Sequence, residues 1–261
     1  MKPTCRQVGT KEHENVIACG SRSNLKGEIA RPARNDRGGY FQVKMDFIQE
    51  IHKKTKRDYL FRVRDGKKAQ YAMVAKEFGF DYWDGDRVYC YGGYYYDGRW
   101  RTVAEKMAEV YNLTESSKVL DVGCGKGFML YEFTKILPGI EVVGFDISHY
   151  AIDNSIKDIK NRLFVYKAQD PLPFEENYFD LVLSINVLHN LYIYDFKRAI
   201  QNIERVGQHK YIALDSYRNE IEKDNLLNWQ TTCELFFTPE EWEFLFKEYG
   251  YTGDWEFIFF E

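Results

Sequence analysis

Six short apolar stretches punctuate the chain after residue 118, separated by turn residues or amphipathic segments. Val119 to Val122 is apolar but for one acid, and EVVGFDIS (141–148), LFVYKAQ (163–169), LVLSIN (181–186), KYIALDSY (210–217) and DWEFIFFE (254–261) follow it. Runs of this length are predicted strands. Among them, Phe128 opens an amphipathic helix, Ser148 is placed to cap a helix running to Ile156, and a further helix covers about Glu220 to Cys233. Thr238, Pro239 and Gly250 mark the cap, first position and stop of another. With a helix from about Thr102 to Tyr111 ahead of the first strand, the alternation predicts an α/β fold.

Upstream the pattern weakens. Residues 1 to about 40 are polar without a sustained period and read as loops or an arm. From Tyr40 to Leu60, the spacing of Phe41, Met45, Phe47, Ile48 and Ile51 predicts an amphipathic helix, and 69–80 holds room for a second. Tyr59, Phe61 and Val63 alternate with Leu60, Arg62 and Arg64, which also allows a strand. In DYWDGDRVYCYGGYYYDGRW (81–100), Gly85, Gly92, Gly93 and Gly98 break any regular helix, so the rings are expected on loops, as a lid or binding surface. A hairpin turning at Gly92-Gly93, or rings covering a dimer seam, is the plainer reading. The division expected is an extension over 1–100 and a main domain over 101–261.

Between the first strand and its helix lie Gly123, Gly125 and Gly127, in the pattern D-x-G-x-G-x-G. Glycine leaves no Cβ to block a ligand approaching the main chain, so the turn is a nucleotide-type site. Asp121, two residues before the first glycine, would oppose a pyrophosphate but suits an ammonium group. Here the chain resembles the class I S-adenosylmethionine (SAM) dependent methyltransferases, whose first motif has this form. Leu172-Pro173-Phe174 and Phe179-Asp180 match later motifs of that family in the same order.

The resemblance implies a Rossmann-like, doubly wound, mostly parallel sheet, SAM as methyl donor and S-adenosylhomocysteine as product. The family usually ends in an antiparallel edge hairpin. Only one terminal strand is legible here, so one edge strand is expected to be missing. The cofactor is expected on Asp121, Gly123, Cys124, Gly125 and Gly127, with Asp146 and Ile147 at the ribose. Asn186 follows the fourth strand, and Arg99 stands ready for the SAM carboxylate. Alignment on Leu172 puts Ala168 where the family often has an adenine-binding acid, with Gln169 and Asp170 as candidates to replace it.

His189 follows the fourth strand, at the carboxyl end where ligands of open parallel sheets lie. An imidazole titrating near neutrality can take a proton from an acceptor hydroxyl or amine, with Asn190 to orient it. Asp215 and Tyr217 end the fifth strand on the same side, and Tyr91, Tyr94, Tyr95 and Tyr96 are the lid's candidate acceptor contacts.

Composition narrows the acceptor. The 36 basic and 40 acidic residues leave a net charge of -4, which disfavours nucleic acid. Five cysteines without a C-x-x-C pair suggest neither zinc nor a disulfide framework, and no stretch approaches a membrane span, so a cytoplasmic protein without membrane association or metal is expected. Lys53 to Lys68 carries eight basic and two acidic residues, either a phosphate patch or a solvated surface. A small polar acceptor is therefore expected, a nucleotide-activated sugar or glycan precursor being favoured for O- or N-methylation. A protein or peptide acceptor, or a SAM-binding partner subunit without activity, is the alternative.

Overall fold

In the computed structural model, which describes residues 45–261, the six apolar runs pair into one sheet. They form β1 (Lys118–Val122), β2 (Glu141–Asp146), β3 (Leu163–Val165), β4 (Phe179–Ile185), β5 (Gly207–Ser216) and β6 (Asp254–Phe259), in the order β3-β2-β1-β4-β5-β6. Every neighbouring pair is parallel. The order turns back between β1 and β4, and the carboxyl ends of those strands open a crevice there.

Among the described residues four helices precede the sheet: α1 (Gln49–Lys54), α2 (Lys68–Ala75), α3 (Phe80–Trp83) and α4 (Arg101–Val110). Five more lie along the crossovers: α5 (Phe128–Ile136), α6 (His149–Asp153), α7 (Ile193–Val206), α8 (Glu220–Trp229) and α9 (Pro239–Glu248). The pleat sends alternate residues of a strand to opposite faces. Val119 and Leu181 therefore join Met107 of α4 and Phe133 of α5 in one core. Leu120 and Val182 join Ile200 and Ile203 of α7 and Trp242 and Phe246 of α9 in the other. Local capping agrees with the sequence: Ser148 Oγ accepts from the Ala151 N–H, and Thr238 and Glu241 form a reciprocal capping box.

The departures are at the sheet edge and upstream of it. β6 pairs in parallel with β5, and the family's antiparallel hairpin has no counterpart among the described residues. Helix α1 covers the outer side of β6 instead. Glu256 on β6 accepts from the N–H groups of Phe47 (2.9 Å), Ile48 (3.2 Å) and Gln49 (3.2 Å), and from the Tyr211 hydroxyl (2.7 Å). Gln49 Nε2 donates to the Phe257 carbonyl and His52 Nε2 to that of Phe259, both at 2.7 Å. The long helix predicted from Tyr40 is thus only α1, because Phe47 and Ile48 are buried ahead of it in the sheet's core. Tyr40, Phe41 and the expected arm over 1–40 lie outside the described residues. Tyr59 to Val63 makes turns rather than a strand, residues 81–100 form α3 and loops rather than a hairpin, and β3 and α8 stop short of the predicted ends.

The α1 clamp is sensitive to acid. His52 Nδ1 accepts from Arg57 Nη2 while Nε2 donates to Phe259, so the ring must be neutral. Burial, with Arg57 beside it, pushes the His52 pKa from 6.5 down to about 4. Its folded pKa lies below its unfolded value, so the stability it contributes is full above pH 6.5 and is lost as pH falls toward 4. Amide exchange of residues 49–54, corrected for intrinsic rates, is expected to rise across that window and to flatten in a His52→Leu variant.

Candidate functional site

Two adjoining cavities open at the crevice. The first is walled by Gly123 from the loop after β1, Phe145, Asp146 and Ile147 at the end of β2, Lys167, Ala168 and Gln169 after β3, and Asn186 and Val187 after β4. The glycine loop fits closely: Gly123 has φ +83°, and a Cβ there would lie 2.2 Å from Val187. Gly125 donates its N–H to Asp146 Oδ2 at 2.9 Å, and Ser148 donates to Oδ1 at 2.8 Å. These donors fix the carboxylate against the cavity while burial raises its pKa. An acid so held is suited to accept ribose hydroxyls.

A roof from the upstream segment closes over the glycine loop. The Trp83 ring lies where a Cβ on Gly125 would come within 2.8 Å of it, and Trp83 Nε1 donates to Ser148 Oγ at 2.9 Å. Tyr91 stacks on Trp83 at 5.2 Å, and Tyr94 stacks on Phe128 at 4.8 Å. The loop's own Lys126 reaches up to both Asp84 oxygens at 2.7 Å and to the Tyr94 carbonyl at 2.9 Å. Tyr150 donates to the same carboxylate. Losing one partner of a buried pair such as this costs about 3–5 kcal/mol, so the roof and the loop are mechanically joined.

Tyr82, Tyr91, Asn186 and Asn190 belong to the walls of both cavities. The second continues past His189, Asp215, Gln230, Tyr94, Trp100 and Trp229, with Arg57, Arg62, Arg87 and Arg99 around it. Asn190 Oδ1 is buried with no donor among the described residues, an acceptor left over at the junction. His189 and Asp215 are each about 2% exposed, with His189 Nε2 3.6 Å from Asp215 Oδ2. The Asp215 N–H donates to His189 Nδ1 at 3.3 Å, which puts the ring proton on Nε2. Burial lowers the His189 pKa against the pull of Asp215, so the ring is neutral. Burial raises the Asp215 pKa, opposed by His189 and by the amide of Gln230, which donates to Oδ2.

Of the residues singled out in the sequence, Gly123, Asp146, Ile147, Ala168, Gln169 and Asn186 meet in the first cavity. His189, Asn190, Asp215, Tyr91, Tyr94 and Arg99 meet in the second. Asp121 lies below the loop, outside both walls, between Gly144 of β2 and Leu183 of β4. Burial, and then Asp146, raise its pKa, a shift that a nearby ammonium would reverse. Cys124 is buried, and Gly127 is the left-handed N-cap residue before α5. Asp170 faces a separate groove with Arg198 and Asn202. Tyr95 is 70% exposed, Tyr96 donates to Glu132, and Tyr217 lies beside Lys223; none lines either cavity. Sequence reasoning passed over Trp83, Asp84, Lys126, Trp229 and Gln230. Lys126, inside the glycine motif, and Trp83 and Asp84, inside the 81–100 lid, carried a local signal; Trp229 and Gln230 did not.

Residues 113–250 match a family described as a methyltransferase domain. The malonyl-[acyl-carrier protein] O-methyltransferase of Bacillus cereus is 28% identical over 164 residues, 55% of this chain and 61% of that protein. The mitochondrial arginine-hydroxylase NDUFAF5 of Mus musculus is 34% identical over 87 residues, 33% of this chain and 24% of that protein. The chain therefore spans less than two thirds of either relative. Among solved structures, a methyltransferase in complex with the Haloferax volcanii Trm112 activator aligns with a TM-score of 0.48 and 19% identity, over 70% of this chain and 76% of that one. With the parallel sheet, the glycine loop and a family match over more than half its length, this chain belongs to the class I SAM-dependent methyltransferases.

Proposed function

We propose that the methyl group goes to a hydroxyl oxygen of a small polar acceptor seated in the second cavity, with a nucleotide-activated sugar or glycan precursor as the favoured class. The observation that carries this reading is the buried Asp215 carboxylate in a cavity that adjoins the nucleoside cavity. SAM supplies, when bound, a methyl group on a sulfonium sulfur, and holding the reactants together contributes up to about 7–11 kcal/mol. In this reading Asp146 and the glycine loop hold the nucleoside, while Arg99 lines the second cavity and is paired with Asp97. Tyr94, Trp100 and Trp229 present apolar rings that exclude water and pack on the acceptor.

The base role goes to Asp215 rather than His189. Both imidazole nitrogens are turned to Asp215, whereas no donor reaches Asp215 Oδ1 among the described residues. As the acceptor oxygen gains the methyl carbon, its proton passes to Oδ1. His189 and Gln230 are positioning residues that hold the carboxylate. A second reading comes from the Bacillus cereus relative, named for O-methylation of a malonyl group: the acceptor oxygen would then be a carboxylate, with no proton to remove.

Methyl-labelled SAM incubated with nucleotide sugars, sugar phosphates, short acyl carboxylates and peptides tests the proposal. Label on a sugar hydroxyl is the expected result. Label confined to carboxylates favours the second reading, and label confined to peptides rejects both.

A further inference from the structure

The second cavity carries an imbalance of charge. Its wall holds four arginines and one carboxylate, Asp215. Arg99 is matched outside the cavity by Asp97 at 2.6 Å. The other three crowd one indole, with Arg57, Arg62 and Arg87 guanidinium carbons 5.8, 4.2 and 5.1 Å from the Trp229 ring centre.

Their hydrogen bonds go to neutral groups. Arg62 donates to the carbonyls of Val88, Trp229, Arg87 and Cys90, and Arg87 Nη1 to those of Cys90 and Tyr91. Carbonyls satisfy donors but leave the positive charge in place. Arg57 spends its Nη atoms on His52 and Thr55, while its Nε is buried with no acceptor among the described residues. Burial, and then the neighbouring guanidinium of Arg87, pull the Arg62 pKa below its ordinary value. In a chain of net charge -4, this is a local focus of positive potential facing a cavity.

We infer that this wall recognises a multiply charged anionic group on the acceptor, a diphosphate or a dicarboxylate, through the guanidinium groups of Arg57 and Arg87, with Arg62 as the fixed charge behind them. The inference rests on the reading of this cavity as the acceptor site. It also sorts the basic segment: of the eight basic residues between Lys53 and Lys68, only Arg57 and Arg62 enter the wall. Arg62 is a buried tie between the roof and the end of α8, whereas Arg57 and Arg87 keep donors to spare.

The test is calorimetric titration of the full chain, with S-adenosylhomocysteine present, against inorganic pyrophosphate and separately malonate, at low and high salt. At least one anion is expected to bind and to weaken with salt; pyrophosphate alone points to a phosphate source and malonate alone to a carboxylate. Arg57→Gln and Arg87→Gln are each expected to weaken that binding about tenfold or more. Both variants give up local bonds, Arg57 to His52 and Thr55 and Arg87 to Cys90 and Tyr91, so they should melt somewhat lower, yet each should still melt cooperatively and keep the unaltered chain's affinity for S-adenosylhomocysteine. Failure of both anions to bind the unaltered chain overturns the inference without any variant, and so does equal binding by both folded variants. If the anions fail while a neutral acceptor is still methylated, only the anion inference falls. Anion binding without methylation of any acceptor keeps the anion site and removes the acceptor reading.

Discussion

Replacing Asp146 by alanine is expected to lower the affinity for SAM about a hundredfold while leaving the fold intact. The carboxylate faces the first cavity and also holds the glycine loop, through Gly125 at 2.9 Å and the start of α6 through Ser148 at 2.8 Å. Alanine removes the ribose acceptor and releases a loop whose backbone must stay in place. Two hydrogen bonds to a charged group, at ~1.5 kcal/mol each, reach about that factor. Asp146→Asn keeps one carbonyl oxygen for the loop and should lose less. Calorimetry with SAM and with S-adenosylhomocysteine decides it, and an alanine variant that binds as well as the unaltered chain would remove Asp146 from the site.

Asp215→Asn is expected to cut kcat for a hydroxyl acceptor by about 10²–10⁴-fold and leave S-adenosylhomocysteine affinity unchanged, because an amide takes no proton. His189→Ala should cost less, since its ring only faces the carboxylate, at 3.6 Å. The pH profile carries the sign. Burial raises the Asp215 pKa, so the active carboxylate form is lost on acidification at a pH above the ordinary carboxylate value of 3.8. That acid limb should disappear in the asparagine variant. Burial sets the direction, and His189, Gln230 and Arg57 each oppose protonation and hold the shift down. A variant that keeps full turnover on a hydroxyl acceptor would falsify the assignment; one that keeps it on a carboxylate acceptor alone would support the second reading.

What could be read from sequence was what neighbouring residues determine. The strand, three glycines and helix between Val119 and Ile136 announce themselves within one short window, as do Asp146 with its Ser148 cap and Thr238 with Pro239. The second cavity was less legible, because its members meet through tertiary packing. Arg62 bonds to the backbone of Trp229, 167 positions away, and nothing local separates it from the solvated Arg64. The 81–100 segment was legible as a lid but not in its contacts: Trp83 fits over Gly125, whereas Tyr95 points outward. The same long-range logic shortened the first helix, whose start is set by Glu256, 209 positions after Phe47.

The arrangement at β6 decides where this chain can be cut. A fragment beginning at residue 101 would retain every recognisable motif, yet it would take from the Glu256 carboxylate its Phe47, Ile48 and Gln49 N–H donors and bare the carbonyls of Phe257 and Phe259 along an unsealed strand. Such a margin invites a second copy to add its own strand, so trimming the protein to residues 101–261 would yield aggregates in place of a minimal enzyme.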